Sequence, residues 1–100
     1  MSILSSLFGT SAPKANIGEL IKNGAIVIDV RSTGEYASGH FKGSKNIPLD
    51  RIESKVAEIK KWNKPIVLCC ASGMRSGSAA NILKRAGLTQ VYNAGSWSSI

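Results

Sequence analysis

Two adjacent cysteines, Cys69 and Cys70, end an apolar run in the stretch LCCASGMRS at residues 68–76, and Arg75 follows a short turn. A cysteine attacks as its thiolate, and an arginine offers a planar fork of donors to an oxyanion. This combination therefore indicates a nucleophilic thiol that acts on an anionic substrate. The spacing is C-x5-R counted from Cys69 and C-x4-R counted from Cys70, so the choice of cysteine changes the predicted reaction.

Strand geometry helps to choose between the two thiols, because successive residues of a strand point to opposite faces. Cys69 follows Leu68 inside the apolar run and is predicted to be a small buried hydrophobe. Cys70 lies where the chain leaves the sheet, and its shorter loop would ring a small target such as a sulfane sulfur. The longer loop from Cys69 is wide enough for a tetrahedral phosphate. A phosphatase or arsenate reductase activity therefore stays open as an alternative.

The turn after Cys70 is built to favour a thiolate. Ala71, Ser72 and Gly73 are small, so their backbone can aim successive N–H groups inward as an anion-binding nest, with Gly73 at positive φ. The N-terminus of the helix that follows adds partial positive charge. No separate catalytic base is needed, and the single histidine, His40, lies far away in the sequence. We predict that the loop itself lowers the pKa of the thiol.

The remaining loop residues have two interpretations each. Arg75 is predicted to bind the donor anion, because the helix dipole disfavours a merely solvated arginine at that place. Ser76 is predicted to cap the helix, with a hydrogen bond to the sulfur as the alternative, and Ser72 stays open between these two roles. Met74 either lines the mouth of the site or lies on the surface. The predicted substrate-binding set is Ala71, Ser72, Gly73, Met74, Arg75 and Ser76.

The composition indicates one small globular domain. The chain has 100 residues, of which 43% are hydrophobic and 19% charged, and this excludes a disordered chain. The net charge of +7 favours anionic partners, but the basic residues are scattered without interleaved aromatics, so nucleic acid is not expected. Neighbouring cysteines cannot staple distant segments, and reduced thiols suit a reducing compartment. We therefore expect a cytoplasmic monomer.

The N-terminal segment has no basic residue before its short apolar stretch and is a poor signal peptide. We interpret residues 1–14 as a flexible lead-in and residues 15–100 as the domain, with no membrane partner.

Helix and strand patterns alternate along the chain. Buried-strand patterns predict strands at residues 25–29 and 66–70, residues 44–48 can hold a minimal strand that ends at Pro48, and a last short strand is predicted at 90–94. Cap-like pairs, apolar periodicity and glycine stops predict the helices between them: Asn16 with Glu19 and a stop at Gly24, Ser32 with Glu35 and a stop at Gly39, Asp50 with Glu53, and residues 76–86 with a stop at Gly87. Such alternation predicts an α/β fold, with a small parallel sheet of four to five strands and helices on both faces. Ligands of such sheets bind beyond the carboxyl ends of the strands, where the cysteine loop lies.

Four segments together resemble the single-domain rhodaneses, or thiosulfate sulfurtransferases. They are DVR at 29–31, GHFKGSKNIPL at 39–49, CASGMRS at 70–76 and NAGSW at 93–97, and the resemblance runs in order over residues 15–97. It implies a three-layer rhodanese-like domain with the active cysteine first in a six-residue loop, which is Cys70 here.

The resemblance also implies a two-step sulfur transfer. The Cys70 thiolate takes the outer sulfur of thiosulfate or a similar small anionic donor, releases sulfite and passes the sulfur from a persulfide to cyanide or a thiol. No metal or organic cofactor is implied. The alternative is a sulfur-relay or binding module that depends on a partner protein as donor or acceptor.

Supporting roles are predicted for Asp29, Arg31 and His40. Asp29 and Arg31 end the first strong strand at the edge that carries the loop, and they either touch substrate or form a structural ion pair or cap, with Glu35 a candidate partner of Arg31. The resemblance suggests that His40 has a structural role near the loop through hydrogen bonds to the backbone. Trp97 is predicted either to cover the rim of the site or to pack as a core or edge aromatic.

Overall fold

The fold is an open parallel sheet of four strands with helices on both faces. A computed structural model describes residues 14–100, and the predicted N-terminal lead-in lies almost wholly outside the described residues. The strands have the order β2-β1-β3-β4, and all three pairings are parallel. The bounds are α1 Lys14–Lys22, β1 Ile26–Asp29, α2 Thr33–Ser38, β2 Lys45–Asn46, α3 Leu49–Ile52, α4 Val56–Trp62, β3 Ile66–Cys70, α5 Met74–Arg85 and β4 Val91–Ser96. Short 3₁₀ turns cover Glu53–Lys55 and Trp97–Ser99. The predicted α/β class is confirmed, and the strand count is at the lower end of the expected range.

Each face of the sheet carries its own apolar core, because alternate residues of β3 point to opposite sides. On one face, Leu68 and Cys70 pack with side chains of α3, α4 and α5, including Ile52, Ile59 and Leu83. On the other face, Val67 and Cys69 pack with α1 and with aromatic side chains that follow α2 and β4. All five residues of β3 are buried, as expected for a central strand of a parallel sheet.

Helix starts were predicted less well than strands. The capping box at Ser32 and Glu35 is present, and Gly39 ends α2. Asn16 was wrong as a cap, because α1 already begins at Lys14 and Asn16 lies inside the helix. Asp50 was also wrong, because α3 begins at Leu49 after Pro48, whose fixed φ suits the entry to a helix.

The cysteine loop lies at the carboxyl edge of the sheet. Cys70 is the last residue of β3, and α5 begins four residues later, at Met74 rather than at the predicted Ser76. Asp29 ends the neighbouring strand β1 and pairs in register with Cys69. The topology therefore brings the ends of β1, β3 and β4 together around the loop. Among residues 14–100, no helix is long and apolar enough to cross a membrane.

Candidate active site

The Cys70 sulfur is surrounded by donors from the loop and the first turn of α5. The Gly73 N–H donates to Cys70 Sγ over 3.0 Å, and the Ser76 N–H donates over 3.4 Å. The Ser76 hydroxyl also lies 3.4 Å from the sulfur. Cys70 is 1% exposed, so these donors replace most of the water that would otherwise solvate its thiolate.

The pKa of Cys70 is lowered to about 7 although the thiol is buried. Burial is the largest single influence and acts to raise the pKa, because it removes water from the charged form. The Ser76 hydroxyl and the N–H groups of Ser76, Gly73 and Ser72 act in the opposite direction and together outweigh burial. With a pKa near 7, about half of the Cys70 population is a thiolate at neutral pH.

Cys69 has the opposite character. It is fully buried and packs with Ile17, Val27 and Val67 on the other face of the sheet. Burial and then the negative charge of Asp29 raise the pKa of Cys69 to about 12. The thiol therefore stays protonated at neutral pH and does not face the loop.

The loop that follows Cys70 is compact and open to solvent. Gly73 has φ +102°, and a Cβ there would lie 3.3 Å from the Cα of Gly95, so both the backbone and the space favour glycine. Ala71 and Ser72 are exposed, and Met74 is 80% exposed at the start of α5. Of the two predicted places for Met74, the structure has the side chain on the surface.

Arg75 is engaged by Glu35 of the capping box of α2. Its Nη1 and Nη2 donate to the two carboxylate oxygens over 2.8 and 3.1 Å. The hydrogen bonds from Arg75, followed by those from Ser32, lower the pKa of Glu35 to about 2. The side chains are 38% and 41% exposed, so the arginine fork is reachable from solvent while it is paired.

Asp29 and Arg31 form a buried ion pair. Arg31 Nη2 donates to Asp29 Oδ2 over 2.7 Å, and Nε donates to both carboxylate oxygens over 3.0 and 3.1 Å. The expected contact of Arg31 with Glu35 exists only through the Glu35 carbonyl oxygen, at 3.3 Å, because the Glu35 carboxylate binds Arg75. The prediction of a Glu35 side-chain partner for Arg31 was therefore wrong.

Trp97 lies against this pair, and His40 follows the end of helix α2. His40 Nδ1 is 2.8 Å from the Tyr36 carbonyl oxygen, and its ring stacks on that of Tyr36, so the side chain is held by helix α2. Trp97 packs with the Cys69 cluster, and the Arg31 guanidinium lies 4.8 Å from its ring centroid. Trp97 thus packs at the edge of that core.

Ser76 does not cap α5, which corrects the preferred prediction. It lies inside the helix, where Gly73 occupies the N-cap position without a side-chain cap. The Ser76 hydroxyl donates to Asn93 Oδ1 over 2.6 Å. The sequence reasoning assigned no role to Asn93 and gave Glu35 a different partner. Asn93 is the first residue of NAGSW, one of the four segments that carry the resemblance to the rhodaneses, so the sequence did mark its position.

The arrangement offers a nucleophilic thiolate in a ring of backbone donors beside an arginine. Within the part of the chain that the structure describes, no three His, Cys, Asp or Glu side chains are grouped as metal ligands. The chemistry available at the loop is covalent attack by sulfur, with anions stabilised by N–H groups and Arg75.

Comparisons with known proteins agree with this geometry. Residues 14–100 match the rhodanese-like domain. The chain is 42% identical over 69 residues to the uncharacterized protein YqhL of Bacillus subtilis, and the aligned region covers 69% of this chain and 54% of that protein. It is 38% identical over 69 residues to the thiosulfate sulfurtransferase PspE of Escherichia coli, which covers 68% of this chain and 66% of that protein. The chain thus spans between about half and two thirds of the length of these two relatives.

A solved structure described as a rhodanese with anions from E. coli has the same fold. It superposes with a TM-score of 0.71 at 35% identity, and the match covers 77% of this chain and 92% of that one. The resemblance to the single-domain rhodaneses is confirmed, and the chain belongs to the rhodanese-like domain family.

Proposed function

We propose that this protein is a sulfurtransferase that carries a sulfane sulfur as a persulfide on Cys70. The observation that carries the proposal is the ring of donors around the Cys70 sulfur, with the Gly73 N–H at 3.0 Å and the Ser76 N–H at 3.4 Å. These donors hold a reactive anion at neutral pH without a catalytic base. The relative PspE is named a thiosulfate sulfurtransferase, which supports thiosulfate as a donor.

In the first step, the Cys70 thiolate attacks the outer sulfur of thiosulfate. A new S–S bond forms, the S–S bond of thiosulfate breaks, and its electron pair leaves with sulfite. Arg75 stabilises the anionic sulfonate end, because its fork matches two oxyanion oxygens. The product is a Cys70 persulfide held within the ring of backbone N–H groups.

In the second step, an acceptor nucleophile attacks the outer sulfur of the persulfide. Cyanide yields thiocyanate, and a thiolate yields a new persulfide. In either case the electron pair of the broken S–S bond returns to Cys70 Sγ, where the loop donors stabilise it. The thiolate is regenerated, and no net oxidation or reduction of the protein occurs.

The geometry argues against phosphatase or arsenate reductase activity from Cys69. That thiol faces the core beneath the sheet, and its pKa is raised to about 12. A phosphate in the loop would not be reached by its sulfur.

The pairing of Arg75 with Glu35 favours a second candidate, a relay module that receives sulfur from a partner protein. The carboxylate occupies both terminal nitrogens of the arginine, so a small dianion must compete for them. Beside Arg75 runs an open groove that is lined by Val30, Ser32, Pro48, Leu49 and Asp50. A donor or acceptor peptide could rest there without displacing Glu35.

Intact mass after mixing reduced protein with thiosulfate tests the proposal. We expect a gain of about 32 Da that dithiothreitol removes, as for an exchangeable persulfide sulfur. The gain should vanish in Cys70→Ser and persist in the matched control Cys69→Ala, which removes the other thiol of the pair. Thiocyanate formation from added cyanide then reports turnover.

The variants also separate the alternatives. No gain in the wild type with thiosulfate would refute the free-standing enzyme, and a gain from a protein persulfide would then favour the relay module. Aryl phosphate turnover that is lost in Cys69→Ala and kept in Cys70→Ser would contradict the assignment of Cys70.

A further inference from the structure

Asn93 connects three segments that surround the Cys70 sulfur. Its Nδ2 donates to the Gly73 carbonyl oxygen over 3.0 Å. Its Oδ1 accepts from the Ser76 hydroxyl over 2.6 Å and from the Gly95 N–H over 3.0 Å. Gly73 and Ser76 are the residues whose N–H groups lie within 3.0 and 3.4 Å of the sulfur. One amide thus holds both donor-bearing residues, although it does not itself contact Cys70 in these hydrogen bonds.

A bulge in β4 aims this side chain at the loop. Leu68 pairs with Asn93, but Cys69 pairs with Gly95, so Ala94 is an extra residue in β4. Bulges are frequent next to active sites, where they redirect a side chain. Gly95 takes φ +83°, which lets its N–H turn back to Asn93 Oδ1. The bulge and the Gly95 N–H therefore hold the amide in place independently of its contacts with the loop.

The orientation of the amide is set by its neighbours. A carbonyl oxygen only accepts and an N–H only donates, so Nδ2 must face Gly73 and Oδ1 must face Gly95. Ser76 then has one hydroxyl proton and two acceptors, Asn93 Oδ1 at 2.6 Å and Cys70 Sγ at 3.4 Å. Asn93 therefore influences the sulfur in two opposing ways. It steadies Gly73 and Ser76, and it competes with the sulfur for the Ser76 proton.

The Ser76 hydroxyl lowers the pKa of Cys70 more than the Gly73 N–H alone, but the N–H groups of Gly73 and Ser76 act together, and Asn93 steadies both residues. The Gly73 N–H lies 3.0 Å from the sulfur, whereas the Ser76 hydroxyl lies at 3.4 Å. Hydrogen bonds weaken with distance, and those to charged acceptors are the strongest. Gly73 has a left-handed conformation and is the N-cap of α5 without a side-chain cap. Its carbonyl oxygen accepts the first helical hydrogen bond from the Gly77 N–H over 2.9 Å, and the Asn93 amide adds a second donor to the same oxygen from outside the helix. The only side-chain hydrogen bond it receives among the described residues comes from Asn93.

We propose that Asn93 is a positioning residue that holds Gly73 and Ser76 against the Cys70 sulfur and thereby keeps the thiolate available at neutral pH. The consequence for sulfur transfer rests on the proposed function, but the consequence for the thiol does not. Asn93 is exposed, so water can replace its contacts in a variant, but a water is not anchored to β4 as the side chain is and therefore fixes Gly73 and Ser76 less firmly.

The test is the pH dependence of Cys70 alkylation by iodoacetamide, followed by intact mass in wild type and Asn93→Ala. We expect the apparent pKa of Cys70 to rise by about one unit in the variant, which lowers the thiolate fraction at pH 7 from about a half to about a tenth. The rate of sulfur loading from thiosulfate at pH 7 should fall about fivefold in the variant. It should approach the wild-type rate near pH 9, where Cys70 is largely ionised in both proteins. Recovery at high pH separates positioning from general damage to the fold.

Asn81→Ala is the matched control, because Asn81 is an exposed asparagine on α5 that makes no side-chain hydrogen bond among the described residues. Its pKa curve should coincide with that of the wild type. Asn93→Ser provides a second variant if Asn93→Ala does not fold: its hydroxyl can accept from Gly95 but is too short to reach Gly73, so the same rise is expected. Hydrogen exchange at the Gly73 amide should accelerate in both Asn93 variants.

Two results would overturn the proposal. An unchanged pKa in folded Asn93 variants would mean that the loop holds its own shape. A lowered pKa would mean that Asn93 chiefly withdraws the Ser76 proton from the sulfur, and Ser76→Ala would then abolish the difference between Asn93→Ala and wild type. If wild type loads no sulfur at all, the alkylation curves still decide the role of Asn93, while the proposed function alone fails.

Discussion

Removal of one partner from the buried ion pair of Asp29 with Arg31 should strongly destabilise the fold, and Asp29→Asn tests this. Asp29 is fully buried and Arg31 is 5% exposed. Besides its bonds to the carboxylate, Arg31 donates through Nη2 to the Gly39 carbonyl oxygen over 2.6 Å. The pair thus joins the end of β1 to the end of α2. Asparagine keeps the shape of the side chain, but it removes the charge that compensates a buried guanidinium.

Removal of one partner from a buried pair costs about 3–5 kcal/mol, because the other charge is left without compensation. Arg31 keeps its carbonyl contacts and lies 4.8 Å from the Trp97 ring centroid, so we expect the lower end, a loss of about 3 kcal/mol in the free energy of unfolding. Domains of this size unfold with about 5–15 kcal/mol, so the variant should stay folded but lose a substantial part of its stability.

Urea unfolding with linear extrapolation measures this loss. The control is Glu58→Gln, which breaks an exposed pair with Lys55 at 3.5 Å and should change stability by less than about 1 kcal/mol. The double variant Asp29→Asn with Arg31→Met should cost less than the sum of the single changes, since neither charge is then left alone. A loss in Asp29→Asn no larger than that in Glu58→Gln would refute the structural interpretation. Loss of sulfur loading with stability retained would instead indicate contact with substrate.

Two further predictions concern the charges around the loop. Glu35→Gln should lower the KM for thiosulfate about two- to fivefold, because Arg75 is released to bind the donor. The glutamine side chain can still accept the hydrogen bond from the Ser32 N–H, so helix α2 stays capped. An unchanged KM in steady-state thiocyanate assays would show that Glu35 does not compete with substrate for Arg75. The pKa of Cys70 is about 7 in the folded protein and lies higher, near 9, in an unfolded chain. Ionisation of Cys70 should therefore stabilise the folded protein above pH 9 by roughly 2 kcal/mol, and this stabilisation should be lost as the pH falls through 7. The difference in urea midpoint between wild type and Cys70→Ser should follow that pH window. The pKa of Cys69 is raised to about 12, so its contribution to the stability of the protein should be lost only as the pH rises above 9.

The strands were predictable from sequence and the helix starts were not, for a physical reason. A buried parallel strand must be apolar throughout, so IVLCC at 66–70 marked β3 residue for residue. A helix start depends on which residue first accepts helical hydrogen bonds, and several cap-forming side chains often lie within one turn. Asn16 had the right spacing to Glu19, yet α1 begins two residues earlier, at Lys14. Ser32 was predicted correctly because the loop before α2 leaves its side chain free to cap.

The different environments of the two thiols were also predictable, because strand alternation places Cys69 and Cys70 on opposite faces of the same sheet. The partners of the charged and polar residues were not, because they depend on contacts between distant segments. Glu35 lies four residues from Arg31 and 40 residues from Arg75, and local spacing favoured the nearer arginine. The buried carboxylate of Asp29 already satisfies Arg31, which leaves the charge of Glu35 to the loop.

Asn93 could not be assigned for a related reason. Asn93 belongs to the NAGSW segment, but its proposed role depends on a bulge in β4 and on a loop 20 residues earlier in the chain, and neither follows from the spacing of residues. One short segment can therefore single out the proposed nucleophile of such a site. The carboxylate that pairs with Arg75 comes from α2, and the amide proposed to position the loop comes from β4. Only the pairing of β1, β3 and β4 at one edge of the sheet brings these segments together.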